Sequence, residues 1–148
     1  MKRLFIPVLA SMCLLVGCSA EGDQTAAIIR VLEKESTTWR SGDVKAHADC
    51  WVIRPYGRIL VSTTTGECYD NPAEAAVNPP PGQMGKGGTF KNLNYRFSIH
   101  KDNAWVSHDE ESVSVEGKTT YSHEIRILEK VNGEWKLVAT SIHLYNPK

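Results

Sequence analysis

The sequence predicts an α+β domain in which a long N-terminal helix covers one face of a curved, mostly antiparallel sheet. Two runs of more than ten residues, 119–130 and 134–145, flank the dipeptide Asn132-Gly133. Both residues tolerate the positive φ of a tight hairpin turn, so the runs are predicted to pair as long strands. Such strands need cover on one face, and the sizeable helix candidate lies near the N-terminus.

The N-terminal segment shows the order of features found in export signals. Lys2 and Arg3 precede an apolar run of about 13 residues. This run is shorter than the roughly 20 residues that a membrane-spanning helix needs. It ends in the tetrad Leu15-Val16-Gly17-Cys18, which resembles the lipobox of bacterial lipoproteins.

The lipobox resemblance implies a processing site and a location. Residues 1–17 would be a lipoprotein signal peptide, and the Cys18 thiol would hold the lipid at the new N-terminus. Several acyl chains anchor a protein stably, so Cys18 is expected to attach the chain to the bilayer, with 18–23 as a lipidated tether. Ser19, in place of an aspartate, favours the periplasmic side of the outer membrane. An ordinary signal peptide with a chance cysteine is the alternative.

Composition limits the classes of partner open to the mature chain. The 131 residues after residue 17 suit one domain with a hydrophobic core. Lys2 and Arg3 leave with the signal, so 15 of the 17 basic residues remain against 17 acidic ones, a net charge of −2. This balance predicts no nucleic-acid partner. Cys50 and Cys68 would lie in an oxidising compartment, where the alternatives are a disulfide between them and two free thiols.

The first helix is predicted from a cap and an apolar stripe. Asp23 can cap a helix that begins near Gln24. Ile28, Leu32 and Trp39 then recur at helical spacing and should face the sheet.

The remaining elements follow from turn and cap signals. Gly42 ends the first helix, and Asp43 caps a short helix over 44–51. Asn71 caps a third helix over 72–77. The strands outside the hairpin are 58–65, 67–69, 90–100 and 104–110.

Two short patterns suggest chemistry only weakly. His47 and Cys50 have a spacing that suits a metal, but a core cysteine beside a surface histidine is favoured, because zinc needs two further ligands. The loop 85–89 is glycine-rich but lacks the spacing of a phosphate-binding loop, so it is interpreted as a lid or entrance loop. We expect no cofactor and no metal.

The order of elements resembles the nuclear transport factor 2-like (NTF2-like, or cystatin-like) superfamily, which includes ketosteroid isomerase and SnoaL-like polyketide cyclases. The resemblance rests on Trp39-Arg-Ser-Gly-Asp43, Ala104-Trp-Val-Ser107 and Asn132-Gly-Glu-Trp-Lys136. It implies that 24–148 form a cone with an internal pocket, and that a homodimer through the outer face of the sheet is frequent. It implies no single activity, because this fold hosts enzymes, binding proteins and scaffolds.

Strand parity decides which side chains enter the cone. Along 121–128, Tyr121, His123, Ile125 and Ile127 alternate with a more polar set, Ser122, Glu124, Arg126 and Leu128. The first set is predicted to face inward because it is the more apolar. The opposite face, which should then point outward, offers no large apolar patch for a dimer.

The register of the last hairpin has two alternatives. A two-residue turn pairs Ile127 with Val138 and sends Val138, Thr140, Ile142 and Leu144 inward. A three-residue turn with a bulge pairs Ile127 with Leu137 and instead sends inward Trp135, Leu137, Ala139, Ser141 and His143. The family resemblance favours the second, with the tryptophan inside.

These arguments place Tyr121 and His123 in the pocket, with His143 joining them in the bulged register. Trp51 and Tyr56 are aromatic candidates for the pocket mouth, with plain core packing as the alternative. An inward His123 could act as a general base or bind a ligand, or it could be a core histidine bonded to Tyr121. An isomerase of this fold needs a buried carboxylate, and the nearest candidate, Asp109, is expected to be solvated. His100 and His108 are also expected to be exposed.

The sequence therefore predicts a lipid-anchored periplasmic protein whose cone binds a small apolar or amphipathic molecule. The alternatives are a SnoaL-like or ketosteroid-isomerase-like enzyme, a lyase or isomerase that uses His123, and a non-catalytic structural module.

Overall fold

One long helix and a six-stranded sheet form the framework of the protein. The computed structural model describes residues 17–147, so the predicted signal peptide before Gly17 lies outside the described residues. The helices are α1 (Gly17–Ser41), α2 (Val44–Ala48) and α3 (Glu74–Val77). The strands are β1 (Arg58–Ser62), β2 (Cys68–Pro72), β3 (Thr89–His100), β4 (Asn103–Val113), β5 (Thr119–Val131) and β6 (Glu134–Tyr145).

The strands form one open sheet in the order β2-β1-β6-β5-β4-β3. Neighbours are antiparallel except β1 and β6, which are parallel. The buried core joins α1 to the inner face of the sheet and comprises Ile28, Leu32, Cys50, Trp51, Ala76, Ala104, Val106, Leu128, Trp135 and Leu137. The predicted α+β class, with a long helix covering a mostly antiparallel sheet, is confirmed.

Helix α1 is longer than predicted, because it begins at Gly17 rather than near Gln24. The residues expected to form a tether, 18–23, are therefore helical. Ile28 and Leu32 are buried as predicted. Within residues 17–147, no helix is long and apolar enough to cross a membrane.

The chain between α1 and α2 follows the predicted signals. Gly42 adopts a left-handed φ of 72°, which glycine tolerates without strain. Asp43 caps α2, because its carboxylate accepts a hydrogen bond of 3.0 Å from the Ala46 N–H. Helix α2 ends at Ala48 instead of residue 51, and the following chain pairs with β6: the Leu137 N–H donates to the Cys50 carbonyl at 2.8 Å.

The third helix is shorter than predicted, and Asn71 does not cap it. Asn71 lies in β2, opposite Ile59 of β1, and α3 begins at Glu74 without a side-chain cap. Ladder pairing with β1 therefore wins over the local capping signal at this position.

The prediction of which face of β5 points inward is wrong. Ser122, Glu124, Arg126 and Leu128 are buried, whereas His123 and Ile127 are exposed. Leu128 packs in the core, and the charged residues of the same face find partners inside the cone. Burial of charged groups is tolerated when they are paired and hydrogen-bonded, so the more apolar of the two faces need not be the inner one.

A bulge in β6 shifts the register partway along the last hairpin. The turn has two residues, with Val131 opposite Glu134, but Ile127 pairs with Ala139 while Leu128 pairs with Leu137. Val138 is therefore the extra residue of a β-bulge. Trp135 and Leu137 face the core before the bulge, whereas Thr140, Ile142 and Leu144 line the interior after it. Neither predicted partner of Ile127 is therefore correct. The second alternative correctly turned Trp135 and Leu137 inward, and the first correctly turned Thr140, Ile142 and Leu144 inward.

Candidate ligand-binding cavity

A cavity of about 660 Å³ lies between α1 and the inner face of the sheet. This volume suits a small-molecule ligand. Its aliphatic wall comes from β1 and β6 and comprises Ile59, Val61, Ile142 and Leu144. The charged and polar side comes from α1, β4 and β5 and includes Glu35, Ser36, Arg40, Glu110, Ser112, Ser122, Glu124 and Arg126. The lining is therefore amphipathic.

Arg126 is the centre of the charged side. Its side chain is only 4% exposed, and its Nη2 donates to Glu124 Oε2. Its Nη1 donates to Glu35 Oε2 at 3.4 Å. Ser122 Oγ donates to the other oxygen of Glu124 at 2.8 Å. These bonds pair charges that would otherwise be costly to bury.

Arg40 and Glu110 form a second pair in the same wall. Arg40 Nη2 lies 2.5 Å from Glu110 Oε1 and donates to Ser112 Oγ at 2.8 Å. Ser36 Oγ donates to Glu110 Oε2 at 3.3 Å. The Arg40 guanidinium also lies over the Phe90 ring, 4.6 Å from its centre.

The pKa values of Glu110 and Glu124 shift in opposite directions. Burial, followed by repulsion from Glu124, raises the pKa of Glu110, and Arg40 offsets only part of this rise. Burial alone would also raise the pKa of Glu124, but Arg126, His108 and Ser122 together lower it. Glu124 therefore stays ionised, whereas Glu110 binds a proton more readily than an ordinary glutamate.

His108, which was expected to be exposed, is buried behind this cluster. Its Nε2 lies 3.5 Å from Glu124 Oε2, and its ring centre lies 5.1 Å from that of Tyr95. Burial and the nearby Arg126 lower the pKa of His108. Burial also raises the pKa of Tyr95 to about 12, so both side chains are held neutral at neutral pH.

An aromatic group adjoins Glu35. The His47 ring centre lies 5.3 Å from that of Trp39 and 6.3 Å from that of Trp51, and all three side chains line the cavity. His47 Nε2 is 3.8 Å from Glu35 Oε1. His47 was predicted at the surface but is buried, because α2 packs against α1.

Cys50 and Cys68 are free thiols. Cys50 is buried, as expected for a core cysteine, and burial raises its pKa to about 11. Cys68 is exposed on β2. Within residues 17–147, no group of three or more His, Cys, Asp and Glu side chains is arranged to hold a metal ion.

Of the five predicted pocket residues, only Trp51 lines the inner cavity. Tyr56 is exposed, and its hydroxyl donates to Glu129. Tyr121, His123 and His143 belong to the outer face of the sheet, where Tyr121 lies against Tyr145.

His123 has its partner on the outer face of the sheet and not inside the cavity. Its side chain is 62% exposed, its Nδ1 lies 2.6 Å from Asp109 Oδ1, and its ring stacks on Tyr145 at 4.3 Å. His143 lies opposite it and contacts Ser141 at 2.8 Å. His123 and His143 line a second cavity of about 570 Å³, whose lining also includes the buried His108 and Glu124.

The sequence analysis missed the acidic residues of the cavity, although one signal points to Glu35. Glu35 occupies the same helical stripe as Leu32 and Trp39, three residues after one and four before the other. No such signal marks Glu124, because it alternates with Ile125 and Ile127, whose apolar side chains indicate the opposite face.

The glycine-rich loop lies where a lid or entrance loop would be expected. Residues 83–87 line the cavity. The Gly85 N–H donates to the Trp39 carbonyl at 3.0 Å, and the Gly87 N–H donates to the Arg40 carbonyl at 2.7 Å. The loop thereby satisfies carbonyls that the end of α1 leaves free.

An open sheet wrapped on one long helix, with a cavity between them, defines the NTF2-like or cystatin-like fold. An NTF2-like protein from Shewanella baltica is 16% identical, has a TM-score of 0.64 and covers 85% of this chain and 97% of its own. An NTF2-like protein from Novosphingobium aromaticivorans is 15% identical, has a TM-score of 0.64 and covers 93% and 94%.

A third structure of the same fold is a proposed ketosteroid isomerase from Parabacteroides distasonis. It is 13% identical, has a TM-score of 0.59 and covers 81% of this chain and 86% of its own. No protein-family model and no curated protein matches the chain by sequence. At these identities the similarity shows the fold alone.

Proposed function

We propose that this protein is a lipid-anchored periplasmic binding protein whose cone takes up a small amphipathic molecule. The observation that supports binding is the lining of the 660 Å³ cavity, with aliphatic side chains on β1 and β6 facing charged groups on α1, β4 and β5. A ligand would place its apolar part against Ile142 and Leu144 and its polar group near Glu35 and Arg126. A cavity of this size favours a binding role over a structural module whose cone is filled by side chains.

Native mass spectrometry of the protein purified from its own host tests ligand binding. The wild type should retain a small molecule, and Val61→Trp, which fills the aliphatic wall, should release it. Ile127→Trp is the matched control, because Ile127 lies on the outer face, and this variant should retain the ligand. A wild type without bound mass, or a Val61→Trp variant that keeps its ligand, would contradict the proposal.

The support for anchoring is the tetrad that ends in Cys18, behind a charged and apolar segment. Cys18→Ser should release the protein from membranes or leave an uncleaved precursor, because serine cannot hold the thioether-linked lipid. Membrane fractionation with mass analysis of the N-terminus measures both outcomes. A mature, detergent-extractable Cys18→Ser protein would rule out the lipoprotein assignment.

An enzyme of the same shape is the second candidate. Because His123 lies outside the cavity, the acid–base group would instead be Glu110, which lies beside Arg40 and whose pKa is raised by burial. A lyase or isomerase of this kind should lose at least about a hundredfold in turnover as Glu110→Gln, since general acid–base catalysis contributes 10²–10⁴-fold. Unchanged turnover in this variant would exclude Glu110 as the acid–base group.

A further inference from the structure

The fixed charges around the cavity do not balance. The carboxylates of the lining are Glu35, Glu110, Glu116 and Glu124, and its cations are Arg40, Lys86 and Arg126. With neutral histidines and all four carboxylates ionised, the lining therefore has one negative charge in excess. A ligand with a positive group would restore the balance.

The carboxylate with the weakest partners is Glu35. Glu110 and Glu124 each have a close guanidinium and a serine hydroxyl. Glu35 shares Arg126 with Glu124, at 3.4 Å, and its other neighbour is His47 Nε2 at 3.8 Å, beyond hydrogen-bond distance. Its side chain is only 10% exposed, so little water can replace these partners.

Aromatic side chains line the part of the cavity near Glu35. Trp39 lies one helical turn after Glu35 on the same face of α1, and Trp51 reaches the cavity from the end of α2. Indole faces attract cations, and the attraction increases when the cation is removed from water. We infer that the proposed amphipathic ligand has a cationic head, an alkylammonium group, which binds to Glu35 beside Trp39 and Trp51.

An anionic head is the competing class. Arg126 Nε and Trp51 Nε1 are buried donors without a hydrogen-bond partner among the described residues, and an anion could accept from them. However, Arg126 already interacts with Glu124 and Glu35, and Glu110 adds to the negative potential around it. The excess carboxylate would repel an anion at the same place.

Three probes with the same ten-carbon chain separate these classes: decyltrimethylammonium, decanol and decyl sulfate. The two ionic probes are titrated below their micelle concentrations and decanol below its solubility limit. The titrations use calorimetry and tryptophan fluorescence at pH 8, where imidazole in water is neutral. The ammonium probe should bind roughly tenfold more tightly than decanol, and decyl sulfate should bind most weakly. Glu35→Gln should abolish this preference, whereas Glu134→Gln, at a carboxylate that is 73% exposed, should preserve it.

The inference rests on the proposed function, but the two can fail separately. If none of the probes binds, amphiphile binding fails and the cationic head fails with it. If decanol or decyl sulfate binds as tightly as the ammonium probe, only the cationic head is wrong. The ranking in the wild type needs no variant, and melting curves show whether Glu35→Gln is folded. A folded Glu35→Gln protein that keeps the preference would also overturn the role of Glu35.

Discussion

Arg126 shows how a single residue can fix the inside of this cone. It is the only cation in contact with both Glu35 and Glu124 among the described residues, and burial of those carboxylates depends on it. Removing one partner of a buried ion pair leaves an uncompensated charge, which is costlier than the loss of the contact itself.

Arg126→Met should therefore lower the free energy of unfolding by about 3–5 kcal/mol, although methionine fills much of the same volume. Urea unfolding at pH 7 measures the loss. The matched control is Arg58→Met, which breaks an exposed pair with Asp70 and should change the unfolding midpoint little. Equal effects of the two substitutions would mean that water screens Arg126 as it screens Arg58.

Glu110 gives a pH dependence with a definite sign. Its folded-state pKa is raised by burial and by Glu124, so ionisation is harder in the folded chain than in the unfolded one. Its contribution to stability must fall as the pH rises from its ordinary pKa of 4.5 towards its folded-state pKa.

Glu110→Gln removes this ionisation. The free energy of unfolding of the variant, relative to that of the wild type, should therefore increase as the pH rises from 4.5 to 7. Urea unfolding at half-unit steps of pH gives the difference. Glu134→Gln should show the opposite trend, and below pH 4.5, because Lys136 lowers the pKa of Glu134 from its ordinary value of 4.5. A difference between Glu110→Gln and wild type that does not vary with pH would contradict the raised pKa.

Among the elements, the sequence predicts those whose signals are local. Asp43 and Gly42 act as predicted, and the Asn132-Gly133 turn has two residues. Asn71 fails as a cap because its strand pairs with β1, a contact that spacing along the chain does not show.

Among the elements, the wrong prediction with the largest consequence is the inner face of β5. Ile125 and Ile127 look like core residues, but Glu124 and Arg126 are buried instead, because their partners come from α1 and β4. The bulge at Val138 then reverses the parity of β6, and no turn signal marks it. The cavity could therefore be predicted from the fold, but its charged residues required the pairing between elements.

The loop 83–88 depends on a glycine for its close approach to α1. A Cβ added at Gly85 would lie 2.8 Å from Arg40 Cα, closer than the backbone allows. Gly85→Ala should therefore displace the loop and speed tryptic cleavage after Lys86 several-fold, because proteolysis follows local opening. Gly22→Ala is the control, since a Cβ there would meet nothing within 4 Å. Equal cleavage rates would show that the loop is not fixed by this contact.

At the scale of the whole molecule, the reversed parity of β5 changes the character of both faces of the sheet. The inner face holds the charged groups, and the outer face displays Trp105, directly opposite Ile127, with exposures of 52% and 43%. Adjacent exposed apolar side chains of this size are typical of an interaction surface. The observed parity therefore supplies the apolar contact for a dimer that the predicted parity lacked.

We therefore expect a homodimer through the outer face, with Trp105 and Ile127 buried between the two copies. Light scattering after size exclusion at about ten micromolar should give twice the mass of one chain. Ile127→Glu should give a monomer, because two carboxylates would be brought together in a desolvated contact. Val44→Glu, at an equally exposed apolar residue on α2, should leave the dimer intact. A wild type that remains monomeric at this concentration would show that the exposed Trp105 and Ile127 do not bind a second copy.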